Sequence, residues 1–454
     1  MSLRFVIIGG GPAGTQAATY AARLGAEVTL IERDVIGGAA NLWDCVPSKA
    51  MIFTGGALNQ IRESSGMGLG VQAPAVDLDS LRDRIGSITS RLEQSNRRLL
   101  ESQGVRLVQG TGRLADPHTV VATTEDGELT VEADAIMVST GSRPRIPEWA
   151  TPDGDRVLTT RDAYPPKEMP EHLIVVGSGV TGVEFVHLFS SFGSKVTLIV
   201  SRQQVLPNKD PEVAAVLEED FLGRGVRLYK GARAVGLERD DAGGVLLRCD
   251  DGRVAEGSHV LLAIGSIPNS EGLGLAEVGV EMDGPWVRDL DHHLRTNVPH
   301  IYVAGDLSGK LLLASVASMQ GRKIAAHVMG LHKVDHRHID YEKAASAIFT
   351  EPEIADVGLA EADAFAEGRK VRVTKVPFVS LAKALINNDP RGFVKIISDP
   401  ATGVVLGGSI VGRHAAELIS VLAVAVTNRL RVSDIAESLF VHPALAEALA
   451  EAAE

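Results

Sequence analysis

The sequence has only two cysteines in 454 residues, Cys45 and Cys249. Two cannot build a disulfide framework, which excludes the disulfide-stapled secreted class and agrees with a reducing compartment. Long apolar runs are also missing. Nothing approaches the run of about 18 apolar residues that a membrane span needs, and the apolar start Phe5-Val6-Ile7-Ile8 lacks a signal peptide's charged head and cleavage site. A cytoplasmic location and no membrane span are therefore expected. Positive charge is in deficit: 45 Lys and Arg against 58 Asp and Glu leave a net charge of -13. Phosphates would be repelled, which argues against nucleic acid as a partner. His327, His332, His336 and His338 lie close in sequence but without metal-ligand spacing, so they read as a linker and no metal site is expected. What remains is a chain with 45% hydrophobic residues and a mean hydropathy of +0.10, long enough for several well-buried domains.

Leu3 to Ile8 is a β-branched run of strand length, followed by Gly9-Gly10-Gly11-Pro12-Ala13-Gly14 and an alanine-rich helical stretch to Leu24. A second strand, Glu27 to Ile31, ends in Glu32. This is G-x-G-x-x-G in the setting that gives it meaning. Gly9 permits a tight turn, Gly11 lets backbone approach a pyrophosphate, and Gly14 lets helix and strand pack closely. The helix N-terminus offers amide donors to the phosphates, and Glu32 can accept from both ribose hydroxyls.

The same pattern returns about 168 residues later. Leu173 to Val176 leads into Gly177-Ser178-Gly179-Val180-Thr181-Gly182-Val183-Glu184, a helix, and the strand Lys195 to Val200. Two such units imply two bound dinucleotides. In the second, Val200 holds the register of Glu32, followed by Ser201 and Arg202. With no carboxylate to repel a 2′-phosphate and two side chains able to bind it, NADPH is expected, with NADH tolerated. Between the units, Leu78, Leu81, Ile85, Ile88, Leu92 and Leu99 mark a long amphipathic helix with Arg82, Arg84, Arg91, Arg97 and Arg98 outward.

The segment Gly37-Gly38-Ala39-Ala40-Asn41-Leu42-Trp43-Asp44-Cys45-Val46-Pro47-Ser48-Lys49 resembles the redox-active stretch G-G-T-C-x-x-x-x-C-x-P-S-K of the pyridine-nucleotide flavoprotein disulfide reductases. Ser139-Thr140-Gly141-Ser142-Arg143-Pro144 and Ile301-Tyr302-Val303-Ala304-Gly305-Asp306 are similar to that family's flavin motifs, and Leu261 to Asn269 to the close of its second nucleotide unit, with Ser266 for arginine. Phe349-Thr350-Glu351-Pro352-Glu353 and Phe440-Val441-His442-Pro443-Ala444-Leu445-Ala446-Glu447 are similar to its C-terminal dimerisation domain. The resemblance implies an α/β chain with two Rossmann-like units and an α+β interface domain. Its expected divisions are 1–150 and 269–340 for FAD, 151–268 for NAD(P)H and 341–454 for a homodimer with sites at the subunit interface. It further implies FAD contacts by Gly9, Gly11, Pro12, Ala13, Gly14, Glu32, Arg33, Gly38, Ala39, Lys49, Gly112, Thr140, Gly141, Ser142, Gly305, Asp306 and Ala314. NAD(P)H would meet Gly177, Gly179, Val180, Thr181, Gly182, Glu184, Ser201, Arg202 and Gly265.

Ala40 stands where the family carries its first redox cysteine, the one that exchanges with a disulfide substrate, while Cys45 matches the flavin-side thiol. The resemblance pairs Lys49 with Glu184 beside the flavin, and gives His442 an acid/base role in the partner subunit's site with Glu447 orienting it. Hydride transfer from a nicotinamide to a flavin needs no thiols. The expectation is an oxidoreductase that passes electrons from FAD to a quinone-like small molecule, similar to a branch of the family with G-G-A-A and a single cysteine. Alternatives are a soluble transhydrogenase, a single-cysteine enzyme cycling Cys45 in peroxide or coenzyme A disulfide reduction, and a non-catalytic flavin scaffold.

Overall fold

A computed structural model describes residues 2–72, 74–239, 243–331 and 338–454. The chain forms two compact units: Met1–Ser48 with Asp79–Arg145 and Ser266–Tyr341, and Lys49–Leu78 with Ile146–Gly265 and Glu342–Glu454.

In the first unit the β-branched run becomes β1 (Arg4–Ile8), which pairs in parallel with β2 (Glu27–Glu32) on one side and with 135–138 on the other. With 301–303 and β3 (Arg106–Gln109) at the edges, the sheet runs 301–303, 135–138, β1, β2, β3. Parallel strands buried on both faces need unbroken apolar runs, and Phe5, Ile7, Leu30, Ile136 and Met137 are fully buried. Helices α1 (Pro12–Arg23) and α3 (Leu78–Ser102) belong here, whereas α2 (Val46–Glu63) falls almost wholly in the second unit. The expected stripe on α3 is only partly used. Leu81, Ile85 and Leu100 are buried, whereas Leu92 and Leu99 are exposed. An antiparallel meander, 111–116, 119–124 and 127–132, extends this unit.

The second unit repeats the design, with parallel order 227–230, 195–200, 172–176, 259–262, 157–159. It carries α4 (Val180–Phe192) and α5 (Pro211–Gly223), while α6 (Ala314–Val328) belongs to the first unit. Beyond residue 342 comes a five-stranded antiparallel sheet, ordered 346–348, 354–358, 405–411, 393–398, 372–377. Helices α7 (Glu361–Ala366), α8 (Ala382–Ile386), α9 (Ala415–Asn428), α10 (Val432–Ala436) and α11 (Glu447–Ala453) accompany it. Ile419, Leu422, Leu449 and Ala452 pack there with Ala355, Ile396 and Ile410. Lys395 is buried in this sheet with its ammonium hydrogen-bonded to Asp210 at 2.6 Å, to Glu361 at 2.9 Å and to Glu212. Those three carboxylates are close enough together to hold a metal ion, but here they enclose the lysine.

Candidate active site

The first glycine motif turns from β1 into α1. Gly9 has φ +105°, and a Cβ there would collide with the Ser139 carbonyl. One at Gly14 would collide with the carbonyl of Gly9, so strand and helix touch backbone to backbone. Gly11 differs: no protein atom lies within 4 Å of where its Cβ would be. No side chain caps α1 and its first turn holds no acid, leaving its amides to a ligand. Glu32 is buried, and accepts the Gly10 amide at 2.6 Å and the Asp34 amide at 2.7 Å. Burial pushes its carboxyl up, a cost that ribose hydroxyl donors would offset.

The remaining flavin-side residues divide by what they touch. Asp306 is half-buried, its carboxyl pushed up by desolvation and hydrogen-bonded to Ser142 at 2.6 Å. Gly305 donates to Gln320 at 2.7 Å. Ala314 opens α6, whose N-terminus also lacks a side-chain cap. Thr140 is spent on a brace: its hydroxyl donates to the Asn269 carbonyl at 2.7 Å, and Asn269 Nδ2 returns to the Thr140 carbonyl at 3.0 Å. Asn269 also reaches the carbonyl of Gly141 at 2.9 Å. Gly112 is a packing glycine, since a Cβ would press on Ile8 and Ile31 at 3.1–3.3 Å. Arg33 is exposed and paired with Asp34. Gly38 lies against Gly11, 2.9 Å from Gly11 Cα to its would-be Cβ. These cradles suit an FAD: open space at the phosphate glycine, uncapped helix amides, and the Glu32 and Asp306 carboxyls in surroundings that desolvate them.

Ala40–Asp44 forms one turn of π-helix, preceded by Ala39 in helical conformation and closed by the Cys45 amide donating to the Ala40 carbonyl. Cys45 is half-buried and not in a disulfide, as is true of buried Cys249, whose thiol burial pushes up.

In the second unit, Gly177 at φ +112° and Gly182 reproduce the close approaches of Gly9 and Gly14, against Ala263 and Gly177. Gly179 and Gly265 face open space as Gly11 does. Val180 begins an uncapped α4. Val200 is fully buried, whereas Ser201 and Arg202 are exposed, with no carboxylate bonded to Arg202 among the described residues. One turn into α4, buried Glu184 accepts Lys49 Nζ at 2.9 Å and the Phe349 amide at 3.0 Å. The Lys49 ammonium also sits over the Phe349 ring, 5.1 Å from its centroid. Phe349 is a residue that sequence reasoning left without a role.

His442 and Glu447 are joined by a 2.7 Å bond at Nδ1. The other Glu447 oxygen accepts the Ala444 amide at 2.8 Å, and these contacts, the amide foremost, hold the carboxyl low. With Nδ1 hydrogen-bonded to the carboxylate, Nε2 is the nitrogen left to meet a ligand on an exposed ring. The pair makes no use of the Ala444 side chain, because position 444 contributes only its backbone amide.

The linker reading of the histidines is corrected in part. His327 lies in α6 and meets the Tyr302 hydroxyl at 2.8 Å. It also stacks on His293 at 3.9 Å between ring centroids, and His338 meets His292 edge-on at 4.3 Å. His332 and His336 lie outside the described residues. Histidines 292 and 293 carried no sequence signal, since nothing in their spacing marks a contact made through a different strand and helix.

Residues 3–321 match the family model described as pyridine nucleotide-disulphide oxidoreductase, and 344–453 match the model of its dimerisation domain. The chain belongs to the pyridine nucleotide-disulphide oxidoreductase family, flavin-dependent oxidoreductases that use a pyridine nucleotide. It is 42% identical to NAD(P)H dehydrogenase (quinone) of Mycobacterium tuberculosis, over 100% of this chain and 94% of that one. Dihydrolipoyl dehydrogenase of Zymomonas mobilis is 34% identical over 98% and 96%. The crystal structure of LpdA from M. tuberculosis superposes with a TM-score of 0.94 at 42% identity, covering 99% of each chain. No helix among the described residues is long and apolar enough to cross a membrane.

Proposed function

We propose that the chain takes hydride from NADPH onto FAD and passes electrons to a quinone-like acceptor, without a redox-active disulfide. FAD, when bound, supplies the hydride and electron chemistry. The protein's part is to hold it. Gly11, Glu32, Ser142, Asp306 and the start of α6 cradle its phosphates, ribose and ribityl chain, and Gly179, Ser201 and Arg202 take the nicotinamide dinucleotide with its 2′-phosphate. Lys49, fixed by Glu184, presents a cation to the flavin, and His442 offers a proton through Nε2 in the partner subunit's site.

The observation that carries the reading is Ala40. A chain whose only cysteines are Cys45 and Cys249 has no second thiol in the Gly37–Lys49 segment to exchange with a disulfide substrate. The full-length relative named as a quinone dehydrogenase supports the same acceptor class.

The test is anaerobic reduction by NADPH, followed by stopped-flow reoxidation with a quinone, lipoamide, NAD, peroxide or oxygen. The quinone is expected to reoxidise the flavin fastest, at a rate that Cys45→Ser leaves within about twofold. Efficient lipoamide turnover, or loss of quinone reduction in Cys45→Ser, would sink the proposal, and faster reoxidation by NAD would make the protein a transhydrogenase.

A further inference from the structure

Helices α2 and α4 are clipped together at two points. The first is the Lys49 and Glu184 pair with the Phe349 amide. The second centres on Asn59, ten residues further along α2 and so about 15 Å away at 1.5 Å per residue. Asn59 Nδ2 donates to Ser191 Oγ of α4 at 2.9 Å and to Glu351 Oε2 at 2.7 Å. Arg62 Nη1 adds a 2.5 Å bond to the Ser191 carbonyl. The 349–351 stretch thus serves both clips, by a backbone amide at one and a carboxyl at the other.

The sequence between the clips is adapted to this contact. Gly55 and Gly56 sit mid-helix, where glycine is disfavoured by about 1 kcal/mol each against alanine. A Cβ at Gly55 would come to 3.2 Å from Ser191 Cβ, and one at Gly56 to 3.2 Å from Glu351 Oε1. Glu351 has no ion-pair partner among the described residues, and burial pushes its carboxyl up. A group that costs free energy to bury, set against a glycine pair that costs helix stability, marks a contact kept for placement.

We propose that Asn59, with Ser191 and Glu351, is a positioning residue that fixes the axial register of α2 on α4 and thereby holds the Lys49 ammonium where the flavin needs it. This rests on the reading of Lys49 as the cation beside the flavin. The second clip touches no nucleotide cradle residue; it acts through the helix. Hydrogen bonding rather than charge carries it, because Asn59 is neutral and needs only an acceptor at position 351.

The test compares flavin reduction potentials and pre-steady-state flavin reduction in FAD-loaded Lys49→Met, Asn59→Leu, Ser191→Ala and Glu351→Gln. Lys49→Met is expected to lower the potential, and Asn59→Leu to lower it in the same direction by about tenfold in the equilibrium, or about 30 mV for a two-electron couple. The reduction rate should fall about tenfold with NADPH affinity within twofold. Ser191→Ala should show a smaller shift of the same sign, and serves should Asn59→Leu fail to fold. Glu351→Gln, which keeps an acceptor, should match the unaltered protein. If Lys49→Met shifts the potential and neither Asn59→Leu nor Ser191→Ala does, the positioning role is overturned alone. If Lys49→Met leaves the potential unchanged, the reading of Lys49 falls and this inference with it.

Discussion

His187 shows most plainly how one side chain fixes a condition for stability. It lies one turn beyond Glu184 on α4, fully buried, with Nδ1 accepting from Arg224 at 3.2 Å and Nε2 without a hydrogen-bond partner. Desolvation first, then the Arg224 and Arg391 charges, hold its pKa well below the ordinary value. The unfolded chain would protonate this ring near pH 6.5, while the folded chain does not. Below that pH the unfolded state binds the extra proton, and stability falls as pH falls, by about 1.4 kcal/mol per unit. The contribution is fully present well above pH 6.5 and is lost progressively as pH falls below it. His187→Gln keeps an acceptor for Arg224 and removes the titration. Urea unfolding at pH 7 and pH 5 should show a correspondingly flatter acid limb in the variant; equal slopes would rule out a neutral His187. Nothing in the sequence announced this residue, because a histidine in an apolar helix gives no sign of whether its second nitrogen is satisfied.

Elements repeat this contrast between local and long-range signals. Both glycine motifs were legible because each demand is local: a turn with positive φ at Gly9 and Gly177, and a close approach at Gly14 and Gly182. Leu92 and Leu99 on α3 were misleading for a related reason. Helical periodicity says which way side chains face, not whether anything covers them, and Leu100 rather than Leu99 is buried. The Asn59 clip was illegible, being built by residues 132 and 292 positions away. The π-turn at 40–44 lies between these cases. Its i to i+5 bond from Cys45 to Ala40 brings residues 40 and 45 onto adjacent turns, near the separation a disulfide spans. Ala40→Cys is therefore expected to close a bond to Cys45 under mild oxidation, and to give the variant NADPH-dependent lipoamide reduction, which the proposed function denies to the unaltered chain. Thiol titration of the unfolded variant should then find one free thiol, that of Cys249, against two in the unaltered protein. Three thiols after oxidation would show that the turn has moved too far from dithiol geometry to be restored by one residue.

At the scale of the whole molecule, the proposed role of His442 makes the dimerisation domain part of the site. The run before α11 stands out from its own unit: Leu439 is fully exposed at 101%, Val441 at 75%, and His442 follows them. Burying a leucine or valine side chain contributes about 1.5–3 kcal/mol, so leaving both in water is costly unless a second subunit covers them. The dimerisation domain suggests such a subunit, and on the proposal that His442 donates a proton in the partner subunit's site, its position in the same run would tie association to catalysis. Leu439→Asp should weaken the dimer at least 100-fold, seen as a shift to monomer in sedimentation velocity at micromolar concentration. Quinone turnover should fall in the same variant to about the level of His442→Ala, while FAD content and anaerobic reduction by NADPH stay near normal. Both variants would then have lost the proton donor, one by truncation and one by separation, and raising the concentration of Leu439→Asp until it dimerises should restore its activity alone. Full turnover by a Leu439→Asp monomer would show that each chain completes its own site and that His442 serves only the fold.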